Sequence, residues 1–377
     1  MKLTVEKLLT RTGWQTAQTL IIEKGIVQAI RPATPLECDA TLPGILVPGF
    51  IDTQVNGGGG VLLNQQPSYD GLCQMANAHL QFGTTGMLPT VITDNADIMA
   101  QAADAVAQAI AKKHPTVLGI HFEGPFLSIA KRGVHDAGLI RLPTDAEMNT
   151  LTRRDIGKVL TTLAPEQTDV GVIRELVAEG VRVALGHTNA TVEQVEAALQ
   201  AGATGFTHLY NAMSPLTSRA PGVTGAALAD ANSYCGLIVD HHHVHPTSAK
   251  VAINAKGAER IMLVTDAMAH VGTELERLDF FNTEILRQGD KLTTPEGTLA
   301  GSCLDMHRAV LNTHRDLQVS LRESIVMASA TPAAFLGLSD IMGSIDAGQV
   351  ANLLLLDSEL NLKNIWLRGD PVATSAS

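Results

Sequence analysis

Aromatic residues make up 3% of this chain, and its cations are outnumbered, with 27 lysines and arginines against 38 aspartates and glutamates and a formal net charge of −11. A nucleic-acid binder needs stacking faces and a basic surface, so that class of partner is excluded. An anionic small substrate stays admissible if cations gather locally. The four cysteines, Cys38, Cys73, Cys235 and Cys303, are widely spaced and form no CxxC. That excludes a disulfide scaffold and a zinc knuckle and predicts reduced, buried thiols. No apolar run reaches membrane-spanning length. At the start, Glu6 and Lys7 stand where the apolar part of a signal peptide would be. The expectation is a cytoplasmic protein without a membrane partner. Nucleotide-binding GxGxxG and P-loop patterns are missing, as is a GxSxG nucleophile elbow. Gly57-Gly58-Gly59-Gly60 lacks a following Lys-Ser/Thr and reads as a tight loop that a ligand or another loop can approach.

What the chain does have is apolar material, 45% hydrophobic against 17% charged residues over 377 positions, enough for one large core with a satellite. The middle alternates strand and helix patterns. The strand candidates are Leu46–Asp52, Thr84–Thr90, Val117–Glu123, Lys158–Leu163, Val181–His187, Thr204–His208, Cys235–Asp240 and Ile261–Asp266, with helical stretches such as Asn95–Lys112 and Gly171–Glu179 between them. Eight such units predict an α/β fold, a (β/α)8 TIM-type barrel, with an open doubly wound sheet as the alternative. Both ends are β-rich. Thr19–Ile22 and Ile26–Ile30 flank a Glu23-Lys24-Gly25 hairpin turn, and Val350–Leu356 and Asn364–Arg368 are strands. Residues 1–48 and 344–377 are therefore expected to form a small β-sandwich domain beside a barrel of residues 49–343.

The stretch from Val181 to His208 reads strand, helix, strand. Thr191 and Gln194 form a capping box, and Gly202 ends the helix. Parallel strands end on one rim, so His187 and His208 should stand side by side there, either as the start of a metal site or as hydrogen-bonded strand ends. The other predicted strand ends supply Asp52, Gln54, Glu123, Glu166, Asp240 with His243, and Asp266. Glu123, His187 and His208 would give the three protein ligands of a catalytic metal with a fourth position open to water, whose pKa the metal lowers to make hydroxide. Asp266, ending the last strand, suits the general base that takes the water's proton and later protonates a leaving amine. His121 shares a face with Glu123 and is expected to fill the barrel rather than ligate. Most of the run His241-His242-His243-Val244-His245 is expected to be a solvated loop, with His243 the one singled out.

The motifs Pro48-Gly49-Phe50-Ile51-Asp52, His121-Phe122-Glu123-Gly124-Pro125-Phe126, Lys131-Arg132-Gly133-Val134-His135, Gly186-His187-Thr188-Asn189-Ala190, Thr207-His208-Leu209-Tyr210-Asn211-Ala212-Met213 and Val264-Thr265-Asp266-Ala267 follow one another in order. Together they resemble the amidohydrolase superfamily, and within it the deacetylases of sugar phosphates, over essentially the whole chain. The resemblance implies metal-dependent hydrolysis of the acetamide of N-acetylglucosamine 6-phosphate to glucosamine 6-phosphate and acetate. It implies that His135 polarises the acetamide carbonyl, that Asn211 and Ala212 receive the phosphate, that His243 binds substrate, and that Arg219 reaches the phosphate from the other subunit of a homodimer. Many members carry His-x-His after strand one and hold two metals. Here the corresponding residues are Asp52-Thr53-Gln54, and no bridging lysine ends strand four. The resemblance is thus to a single-metal branch, with one divalent ion per subunit, Zn²⁺ first and Fe²⁺ also compatible. His241-His242 replace a usual Gly-Leu, His270 a usual Pro, and Phe126 a frequent Trp, changes expected around the sugar pocket. N-acetylgalactosamine 6-phosphate is therefore the nearest competing substrate. A cyclic-amide hydrolase and a non-catalytic barrel of the same ancestry are further alternatives, the latter disfavoured because Glu123, His187, His208 and Asp266 are all present.

Overall fold

The computed structural model describes residues 1–34 and 40–373; Cys38 and residues 374–377 of the expected satellite lie outside the described residues. Eight parallel strands, Phe50–Val55, Thr84–Ile92, Gly119–Glu123, Lys158–Leu163, Arg182–Leu185, Gly205–Phe206, Tyr234–Leu237 and Ile261–Leu263, lie side by side in chain order. The ring closes where the Asp266 N–H donates to the Gln54 carbonyl at 3.0 Å and Val55 bridges Ala267 in parallel. This is the expected (β/α)8 barrel, and closure removes the open-sheet alternative.

Helix signals hold closely. Asn95 caps Ala96–Ala111 by accepting from the Ile98 N–H, and Thr191 and Gln194 make a reciprocal capping box on Val192–Gln200. The strands differ more. Four end short of their expected limits: Tyr234–Leu237 stops before Asp240, and three others stop at Leu185, Phe206 and Leu263. For those three the cause lies in the residues that follow, because His187, His208 and Asp266 have φ of 47°, 30° and 52°, which bends the backbone out of sheet geometry. The expected strand Leu46–Asp52 is two strands in different sheets, divided at Gly49. A Cβ there would lie 2.1 Å from Thr85 Oγ1, so the chain crosses between sheets in contact with strand two.

Period-two alternation stacks the barrel interior in layers. Ile51, Leu88, Leu160, Ala184 and Met262 form an apolar floor with Phe335 of the short helix Ala330–Phe335. Above it, His121 lies 2.8 Å from Thr162 Oγ1 and 3.3 Å from Thr90 Oγ1, and Thr162 meets Thr207 at 2.6 Å. His121 thus fills the barrel as expected, its ring pushed down to a pKa of about 4 by burial. The rim lies one layer higher.

The two chain ends meet in one seven-stranded sheet, in which Ala40–Pro48 pairs parallel with Lys2–Thr10 and antiparallel with Leu353–Leu356. One face gathers Leu3, Val5, Leu20, Val27, Leu46, Leu353 and Trp366 into a core of its own, while Val47, Leu354 and Ile365 join the barrel's core. A three-stranded antiparallel sheet, Arg277–Phe280, Thr283–Gln288 and Lys291–Thr293, follows barrel strand eight and had no counterpart among the sequence expectations. Of the described cysteines Cys235 is buried, whereas Cys73 and Cys303 are half-buried, which corrects the expectation of uniformly buried thiols.

Candidate active site

On the barrel rim three atoms converge. Glu123 Oε1 lies 3.1 Å from His187 Nε2 and 2.9 Å from His208 Nε2, and the two nitrogens are 3.0 Å apart. All three side chains are buried. His187 Nδ1 lies 2.8 Å from the Lys131 carbonyl, which fixes its proton on Nδ1 and turns the Nε2 lone pair inward. Two nitrogens this close cannot both aim a hydrogen at the other, so the triangle asks for one shared positive charge. The electrostatics agree. Burial alone would raise the Glu123 carboxyl, but the two imidazoles beside it reverse the effect and hold it well below its ordinary value. Burial alone would lower His208, and Glu123 raises it instead. One oxygen and two nitrogens meeting at this separation suit a divalent cation of the zinc type, so the donor set fits the expected metal. One ring nitrogen of His135 also stands within 4.8 Å of ligating atoms of Glu123 and His187.

Asp266 faces this triangle. Its Oδ1 accepts from Asn56 Nδ2 at 2.7 Å and from Gln54 Nε2 at 3.2 Å, and the same Gln54 amide donates to Glu123 Oε1 at 3.1 Å. Burial, and then the charge of Glu123, raise the Asp266 carboxyl to a pKa of about 6. The pair that points into the site from strand one is therefore Gln54 and Asn56, not Asp52 and Gln54 as the motif position suggested. Asp52 is not part of the cavity lining; it accepts from Thr265 Oγ1 at 2.5 Å and ties the first strand to the segment just past the last, and burial raises it to about 7. Glu166 is also withdrawn from the site, accepting from Thr188 Oγ1 at 2.5 Å and from the Asn189 N–H at 2.6 Å.

A cavity of about 550 Å³ opens over the triangle, lined among others by Glu123, His135, His187, His208, Asn211, Ala212, His243 and Asp266. Eight of the nine sequence-predicted site residues thus share one cavity, and the ninth, Arg219, does not line it. Arg219 is exposed at the tip of the loop before helix Gly222–Ala229. Thr217 and Ala220 close a turn there. His135 is held by Thr93 Oγ1 at 2.8 Å from Nδ1, and burial, helped by His187, lowers its ring to about 3, so it is neutral. His243 Nδ1 lies 2.6 Å from Asp240 Oδ2, and this contact outweighs burial to hold Asp240 near a pKa of about 2.

The neighbouring histidines stand in a loop as expected, His242 and His245 exposed and His241 half-buried, but each has a partner. His241 pairs with Asp316 and His242 with Asp290, each at 2.8 Å, and His245 caps helix Pro246–Lys256. Phe126 and His270 are buried away from the cavity, so those two departures do not reshape the sugar pocket directly. Sequence reasoning missed Asn56, Lys131, Thr93 and the cavity-lining Phe280 and Thr298. The i, i+2 spacing of Gln54 and Asn56 was the available signal for the first.

The amidohydrolase family pattern matches residues 45–374. The chain is 46% identical over 370 residues to N-acetylgalactosamine-6-phosphate deacetylase of Shewanella sp. (strain ANA-3), covering 97% of this chain and 94% of the relative. It is 36% identical to N-acetylglucosamine-6-phosphate deacetylase of Haemophilus influenzae, covering 89% of each. The crystal structure of N-acetylglucosamine-6-phosphate deacetylase from Pasteurella multocida superposes with a TM-score of 0.94 at 32% identity, covering 99% of this chain and all of that one. The chain belongs to the amidohydrolase family.

Proposed function

We propose that this amidohydrolase removes acetate from an N-acetylated hexosamine 6-phosphate, N-acetylglucosamine 6-phosphate in the reading its motifs support. The observation that carries the reading is the convergence of Glu123, His187 and His208 beneath Asp266 in one cavity. Those three residues would hold one divalent ion, Zn²⁺ or Fe²⁺, which supplies Lewis acidity toward water and the acetamide carbonyl when bound. The Gln54 amide, hydrogen-bonded to both carboxylates, supports one ion rather than two. Asp266 takes the proton of the attacking water and returns it to the leaving amine. With the Thr93 hydroxyl donating to Nδ1, neutral His135 presents its Nε2 hydrogen to the carbonyl oxygen.

His243, oriented by Asp240, and the Asn211–Ala212 turn bind the sugar phosphate. Arg219 of a second subunit completes the phosphate site of a homodimer, a role favoured by its loop-tip position beside Leu216, a leucine 54% exposed. We further propose that the terminal segments, residues 1–48 and 344–377, are a structural satellite of the catalytic barrel. The enzyme works in the cytoplasm, where a phosphorylated sugar is retained; none of the described helices is long and apolar enough to cross a membrane.

A second reading, N-acetylgalactosamine 6-phosphate, is favoured by one observation: the relative with that name is 46% identical, against 36% for the N-acetylglucosamine-6-phosphate relative. Metal-loaded protein given each epimer separately, and then both in competition, should release acetate and rank them by kcat/KM. Metal analysis should find one ion per chain, and chelation should abolish turnover. No acetate from either epimer would end the proposal. Two tightly held ions in active protein would end its single-metal part.

A further inference from the structure

The two walls of the cavity come from different parts of the chain. One wall carries His243, in the loop after strand Tyr234–Leu237. The other carries Phe280 and Thr298, at the ends of the 277–293 sheet and the segment that follows it. That sheet is anchored by apolar packing along one face, since Leu278, Phe280, Ile285 and, beside its far turn, Leu292 bury against Leu62, Ile92, Met268 and Ala269. The turn residues themselves, Gly289 and Asp290, are held by polar contacts. Asp290 Oδ1 lies 2.8 Å from His242 Nε2, its Oδ2 accepts from Arg308 Nη2 at 2.5 Å, and its carbonyl accepts from the Cys303 thiol at 3.0 Å. His242 belongs to the same tight turn as His243, because the backbone N–H groups of both donate to Asp240 Oδ1 at 2.9 Å.

We propose that His242, through Asp290, is a positioning residue for the substrate: it fastens the far turn of the 277–293 sheet to the loop that carries His243 and so fixes the spacing of the two cavity walls. His242 touches no cavity atom itself, and the Arg308 and Cys303 contacts remain when it is replaced. Its loss therefore loosens the wall without dismantling it. The effect falls on substrate binding, because Asp266 and the Glu123–His187–His208 triangle stand on other elements.

The proposal rests on the sugar-phosphate reading for its kinetic arm and on the geometry alone for its exchange arm. In metal-loaded protein, His242→Phe should speed deuterium uptake by backbone amides of residues 283–293. It should also raise KM by about two- to fivefold with kcat within about twofold, the size expected when one partly exposed hydrogen-bonded pair is removed. His242→Gln keeps a donor within reach of Asp290 and should restore both readouts. Uptake that is unchanged in His242→Phe, faster uptake with an unchanged KM, a fall in kcat at constant KM, or failure of His242→Gln to rescue a folded protein would each overturn the proposal. If neither epimer is hydrolysed by wild type, the functional reading fails, and the exchange arm still decides whether the fastening exists.

Discussion

The chemistry side and the recognition side of this cavity are built differently. Glu123, His187, His208 and Asp266 stand at or just past the ends of barrel strands; the first three are at most 5% exposed and touch one another directly, and half-buried Asp266 joins them through the Gln54 amide. The groups that would meet sugar and phosphate stand on loops: His243 in a turn held by Asp240, Asn211 and Ala212 in another, Phe280 on the added sheet, and Arg219 on an exposed tip. Bond-making atoms need fixed separations, and a closed barrel supplies them. Selectivity among similar sugars needs surfaces that change without disturbing the barrel, and loops supply those.

The sharpest way to break this division is Asp266→Asn. The amide is nearly isosteric but cannot take the water's proton, so kcat should fall by about 10²–10⁴-fold with metal content and fold retained. Turnover within a few-fold of wild type would remove Asp266 from the chemistry side. Next in size is Arg219→Ala, which should lower kcat/KM on the phosphorylated substrate by about ten- to a hundredfold, the range for losing a charge-assisted hydrogen bond. Mixing it with Asp266→Asn during refolding should restore activity, since a heterodimer holds one site with both residues intact. Heterodimers that stay inactive would confine Arg219 to its own chain or to no role.

The smallest effect concerns Asp52, beneath the chemistry side. Its folded pKa of about 7 lies above the unfolded value of about 3.9, so the native state keeps a proton that the unfolded chain releases. The stability this contributes is full below about pH 4 and is lost as pH rises through about 7. Between pH 5 and 8 the unfolding free energy of wild type, measured by urea titration, should fall relative to that of Asp52→Asn by an amount on the order of a few kcal/mol at most. Parallel slopes would show that Asp52 is ionised in the fold.

The same division governs how much the sequence disclosed. Strand ends were legible because hydrophobic runs terminating in His, Glu or Asp mark both the element and its rim position. The triangle and Asp266 were found that way, and the barrel with them. Direction at a single strand was less legible. Asp52 and Gln54 were read together, but strand one is irregular, with register shifts against strand two, and it is Gln54 and Asn56 that face the site. The added sheet escaped notice because its strands are three to six residues long and alternate too briefly to separate from loop. The partners of the histidine run escaped notice for a different reason. Partners at Asp290 and Asp316 lie 48 and 75 residues away, beyond any local pattern.

The left-handed backbone at His187, His208 and Asp266 limits the descent of this site as well as its shape. Asn, Asp, His and Gly enter that region most readily, whereas β-branched residues are strained there. Drift at these three positions is therefore filtered by the main chain before chemistry is tested at all. A descendant that abandoned the metal would be expected to keep asparagine or glycine there rather than valine or threonine, and would carry the outline of the vanished site in its backbone.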